Sequence, residues 1–158
     1  MDDQDQDDAS DYSADSTEEL LEQAQSNAQA TIIATVSFLS QRSIPVSEWT
    51  ESLGATFGLA WDEPAPWEAG EFLDAMLTNF RSLGATVVDA DLESDHAEAT
   101  ITGFPDLDLC SLFNVDPDLV AAFNDSPAPL ARARALSWEW TRTGNETHYL
   151  VRQVPAEH

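Results

Sequence analysis

The stretch that decides the fold is Ser137–Val154, SWEWTRTGNETHYLVRQV, in which two runs of β-favouring residues flank a Gly-Asn pair. Trp138, Trp140 and Arg142 project to one side of a strand, Glu139 and Thr141 to the other. With a two-residue loop of Gly144 and Asn145, Trp140 lies opposite Tyr149 and Trp138 opposite Val151. With a three-residue loop, Thr143 to Asn145, Trp140 lies opposite His148 and Arg142 opposite Glu146. We favour the two-residue loop, which makes one continuous aromatic face.

Working back from this hairpin, TVVDADL and HAEATIT read as a second pair of strands, each with one buried face, joined by a turn near Ser94 and Asp95. Ala97, Ala99 and Ile101 alternate cleanly with Glu98 and Thr100, whereas Val88, Ala90 and Leu92 alternate less cleanly with Val87, Asp89 and Asp91. Between the hairpins, Asp106 opens a short helix carrying Leu107, Leu109, Leu112 and Phe113, and Asp116-Pro117 opens another with Leu119, Val120 and Phe123. Residues 125–134, DSPAPLARAR, read as a proline-broken link.

Further upstream the period is helical. Ser16 or Thr17 with Glu18 and Glu19 starts a helix reaching about Gln41, striped by Leu21, Ala24, Ala28, Ile32, Val36 and Leu39. A second helix from Ser47 to about Trp61 is expected to bury Trp49, Leu53, Phe57 and Trp61, with Gly54 and Gly58 marking a close helix contact. A third has Pro66 in its first turn, buries Phe72, Leu73, Met76, Leu77, Phe80 and Leu83, and ends at Gly84. Residues 1–16 form an acidic tail expected to be disordered, followed by a single domain over 17–158. The predicted class is α+β, a four-stranded antiparallel sheet from two hairpins packed against several helices.

Charge narrows the partners. Thirty acids face six bases, all arginine, for a net charge of −24. Nine of the acids lie in the first 19 residues, so the folded part is acidic as well. Such a surface repels nucleic acid and anionic membranes, and neither is an expected partner. The one cysteine, Cys110, excludes an internal disulfide and a zinc site built from several thiolates. No secretory signal is visible, and ATIIATVSFL is too short to span a bilayer, so a cytoplasmic location is expected.

The candidate chemistry is sparse. Indoles and phenols supply apolar area with a polar edge, and Trp138, Trp140 and Tyr149 are the candidate wall of an apolar or aromatic pocket, with Trp61, Phe80 and Cys110 on its far side. The alternative for the same residues is ordinary sheet core. A hydrolase-like reading needs a base beside a thiolate, for which Cys110 with His148 or His96 is available apart from the terminal His158. His96, His148, Asp95 and Glu146 have no local metal-ligand spacing, and neither a metal nor another cofactor is expected. There is no Gly-rich phosphate loop, Gly-x-Ser-x-Gly elbow or His-Glu-x-x-His stretch. A third reading is a structural homodimer through the first helix.

The order of elements, with LGATVVDADLESDHAEATITGFP, DLCSLFNVDPDL and WEWTRTGNETHYLV as its segments, resembles the 4-vinyl reductase hydrocarbon-binding domain group, which also includes L-2-amino-thiazoline-4-carboxylic acid hydrolase-like proteins. The resemblance spans about residues 18–154 and implies an α+β domain with a small-molecule pocket between helices and sheet. Many vinyl-reductase-type members have cysteines near the final hairpin that suit metal binding; here RTGNETHY carries Thr147 and His148 instead.

Overall fold

A computed structural model describes residues 16–61 and 66–155. The acidic tail up to residue 15, most of the link after Trp61 and the terminal His158 lie outside the described residues. The elements are α1 (Thr17–Gln41), α2 (Val46–Gly58), α3 (Ala69–Ser82), β1 (Thr86–Leu92), β2 (His96–Thr102), α4 (Leu107–Leu112), α5 (Pro117–Ala121), a 3-10 turn (Ala122–Asp125), α6 (Ala128–Arg132), β3 (Leu136–Thr143) and β4 (Glu146–Gln153). The strands form one antiparallel sheet in the order β1-β2-β4-β3, so the two hairpins join along β2 and β4 and the fold is α+β. Among the described residues no helix is long and apolar enough to cross a membrane.

The final hairpin takes the two-residue loop. Thr143 pairs with Glu146, Trp140 with Tyr149 and Trp138 with Val151. Gly144 has φ of 62°, as the first central position of a type II′ turn requires. On β2 and β4, Ala97, Ala99, Ile101, Thr147, Tyr149 and Val151 are buried on the face that α3 covers. The opposite face, with Glu98, Thr100, His148 and Leu150, is half-buried at most.

β1 departs from the expected half-buried pattern, since only Val87 is even half-buried. A bulge between Val87 and Asp89 leaves Val88 as the extra residue, and Val87 then faces the same side as Ala90 and Leu92, opposite Ile101, Ala99 and Ala97. The bulge explains the imperfect alternation of TVVDADL, and the edge position leaves the strand exposed.

Helix α1 opens on a capping box in which Ser16 Oγ accepts from the Glu19 amide at 3.2 Å and the Glu19 carboxylate accepts from the Ser16 amide at 2.7 Å. Its stripe is buried only in part: Ile32, Val36 and Leu39 reach the core, while Leu21 is 55% exposed and Ala24 is exposed. The helix joins the body around Gln25, whose amide donates to the Arg81 carbonyl at 3.0 Å. One turn on, the buried Gln29 donates to the Leu83 and Gly103 carbonyls at 2.9 and 2.7 Å and accepts from the Asp106 amide at 2.9 Å. One side chain thus ties α1 to the end of α3, the end of β2 and the start of α4.

The boundaries of α2 and α3 also differ from the sequence reading. α2 stops at Gly58, leaving Trp61 in the turn beyond it, and Phe57 is exposed while Trp49 and Leu53 are half-buried. Pro66 lies ahead of α3, not in its first turn. The helix starts instead where the β1–β2 turn supplies acceptors: the Ala69 and Gly70 amides donate to the Ser94 and Glu93 carbonyls at 2.7 and 2.9 Å. A Cβ on Gly70 would lie 2.6 Å from the Leu92 carbonyl oxygen, so this approach requires glycine. At the other end, Gly84 at φ 95° closes a Schellman motif with Ala85 N–H bonded to the Phe80 carbonyl at 3.1 Å. Asp106 and Asp116 cap α4 and α5 as expected. The supposed link 125–134 contains α6, whose prolines fall at the helix start, where a missing N–H costs nothing.

Candidate functional site

The aromatic side chains of the final hairpin belong to a packed chain of rings. Tyr149 is fully buried, stacked on Phe80 at 5.2 Å between centroids, with Trp138 at 5.0 Å on its other side. Phe72 packs edge-on against Trp138 at 6.0 Å, and Phe104 and Phe123 continue the chain beyond Phe80 at 5.5 and 6.4 Å. The polar edges of these rings are satisfied within the protein. Tyr149 Oη donates to Asn124 Oδ1, Trp138 Nε1 donates to the Asn124 carbonyl at 2.7 Å, and Trp140 Nε1 donates to Asp125 Oδ1 at 2.7 Å. The Asn124 amide in turn donates to the Ala121 carbonyl at 2.9 Å, and Arg142 pairs with Asp118 at 2.6 Å. Residues 118–125 are therefore laid across β3 and β4 by hydrogen bonds from successive inward-facing residues. Burial holds the Tyr149 phenol well above its ordinary range, so it stays a neutral donor.

A cleft opens on the other side of Phe80. It measures about 290 Å³ and is lined by Phe57 and Trp61 from the end of α2, Met76 and Phe80 from α3, and Phe123 and Leu130 from the segment before β3. Asn79, Ser82 and Ser126 supply its polar groups. α2 packs chiefly on α6 and the 3-10 turn, which leaves the space between its end and α3 unfilled. Of the residues anticipated from sequence, Trp61 and Phe80 line this cleft; Trp138, Trp140, Tyr149 and Cys110 do not. Phe57, Met76 and Phe123 read as apolar helix positions in the sequence and Leu130 as part of a link, and the Gly54/Gly58 pair is the one signal of a close contact of α2.

The hydrolase-like pair is not assembled. Cys110 is fully buried in the hydrophobic core, whereas His148 points to the opposite face of the sheet, between inward-facing Thr147 and Tyr149. There His148 lies 3.8 Å from Glu98 Oε2, and His96 lies 3.2 Å from Oε1 of the same carboxylate. Burial pushes the Cys110 thiol upward, and the Asp106 carboxylate pushes it the same way, both disfavouring thiolate. Iodoacetamide at neutral pH is accordingly expected to leave the folded protein unmodified and to alkylate Cys110 only after denaturation, as read by intact mass. Among the described residues no three His, Cys, Asp or Glu side chains converge as a metal site would need.

No family model, curated protein or solved structure matches the chain.

Proposed function

We propose that this chain is a small-molecule-binding domain whose cleft between α2, α3 and the 3-10 turn takes an apolar or aromatic compound. The observation that carries the reading is the pairing of a largely apolar, unfilled cleft with Phe57, a large side chain left 51% exposed at its edge. Ligand sites are commonly concave and apolar, with a few polar groups to orient the occupant, the part Asn79, Ser82 and Ser126 fill here.

Native mass spectrometry against the denatured mass tests for an occupant carried through purification. Titration with a neutral apolar dye, N-phenyl-1-naphthylamine, tests the cleft directly. Phe57→Ala is expected to weaken dye binding by about five- to tenfold. Because the ring is half exposed, the variant should lose less than about 1 kcal/mol of stability. Equal dye affinity in both proteins would place the dye elsewhere and remove the support for this cleft.

A further inference from the structure

Arg134 is the most buried guanidinium among the described residues, only 3% exposed, yet no carboxylate among those residues lies within ion-pair distance of it. Its Nη1 donates to the Leu130 carbonyl at 3.0 Å, and its Nε is buried with no hydrogen-bond partner among the described residues. The guanidinium lies 5.0 and 5.2 Å from the ring centres of Trp61 and Trp67, which stack on each other at 5.3 Å. Arg132 and Arg142 are each paired with a carboxylate, and Arg42, Arg81 and Arg152, which have no such partner among the described residues, are exposed to solvent. A buried cation without a counter-charge is costly, and an incoming anion would relieve that cost. Loss of solvent lowers the Arg134 pKa.

Arg134 lines a groove of about 470 Å³ along α2, whose other walls include Gly54, Gly58, Pro129 and Leu130. Trp61 and Leu130 belong to both this groove and the cleft described above. We propose that Arg134 is the anion-recognition group of this groove and that the ligand is a carboxylate with an aliphatic or aromatic body, which rests on the small-molecule reading and specifies its chemistry. A carboxylate fits better than a phosphate: with Nη1 committed to Leu130, the guanidinium keeps the edge formed by Nε and Nη2 for one flat two-oxygen contact, and among the described residues no second cation lines the groove to balance a dianion.

The test is calorimetric titration of the full chain with 4-phenylbutyrate and its neutral amide at constant ionic strength, using wild type, Arg134→Met and Arg134→Lys. N-phenyl-1-naphthylamine binding is measured alongside. The carboxylate is expected to bind at least about tenfold more tightly than the amide in wild type. That preference should vanish in Arg134→Met and survive only in part in Arg134→Lys. Without ligand, Arg134→Met is expected to melt no lower than wild type, because it removes an uncompensated charge. Equal binding of acid and amide, with dye binding intact, would overturn the anion site and leave the apolar cleft standing; loss of dye binding as well would remove both. A lower melting temperature for Arg134→Met with unchanged acid preference would show that the guanidinium is satisfied within the chain, and displacement of 4-phenylbutyrate by equimolar chloride would defeat the carboxylate assignment.

Discussion

Tyr149→Ala is expected to destabilise the protein by about 3–5 kcal/mol, the range for emptying a large aromatic from a core. The ring is wholly buried between Phe80 and Trp138, on a central strand of the sheet. Tyr149→Phe separates packing from hydrogen bonding. It keeps the stack and deprives Asn124 Oδ1 of its donor, at a cost of about 1–3 kcal/mol. Urea unfolding of the three proteins provides both values. Since Tyr149 does not line the cleft, Tyr149→Phe should bind N-phenyl-1-naphthylamine as wild type does. A loss below about 1 kcal/mol for the alanine variant would mean that these rings are not the packed interior described above.

Gly54→Ala is expected to cost about 2–4 kcal/mol, at or above the usual range for overpacking. A Cβ at this position would lie 2.3 Å from the Ser126 carbonyl oxygen and 2.8 Å from Pro129 Cγ. Neither neighbour can swing aside, because one is backbone and the other is a ring at the start of α6. α2 must therefore move off α6 and the 3-10 turn, and that displacement should also change dye affinity in the cleft beneath its end. Gly58→Ala is the internal control. Its Cβ would meet only Leu130 Cδ2, at 4.0 Å, so the substitution should be neutral or gain a few tenths of a kcal/mol in helix propensity. If both variants lost stability equally, helix–helix contact at Gly54 would not be the cause.

Much of the architecture is legible in short stretches of sequence. The helix start at Ser16 or Thr17, the Asp106 and Asp116 caps, the Gly84 terminus and the Gly144-Asn145 loop are local signals, each needing only a few consecutive residues. The loop length alone put Trp140 opposite Tyr149 and sent His148 to the far face. Readings that depend on what lies across a gap fared differently. Leu21 and Phe57 sit on apolar stripes, yet both are exposed, because a stripe says which side of a helix could be buried and not where its neighbour ends. Pro66 suggested a helix start that the β1–β2 turn moved to Ala69 by offering two carbonyls. α6 was missed because two prolines in ten residues look like a link until their place at a helix start is known.

The candidate site divides along the same line. An acidic α+β protein built around a hairpin with an aromatic face is legible in the chain alone, because charge, periodicity and turn chemistry are properties of neighbouring residues. Packing between distant segments settled that Tyr149 is interior with a half-buried Trp138 against it, that Cys110 and His148 are kept apart by the sheet, and that open space lies between Phe57, Trp61 and Phe80. It also left Arg134 buried against two indoles without an acid among the described residues. Cavities and unpaired charges arise from where packing falls short, and that is settled by contacts between residues far apart in the chain.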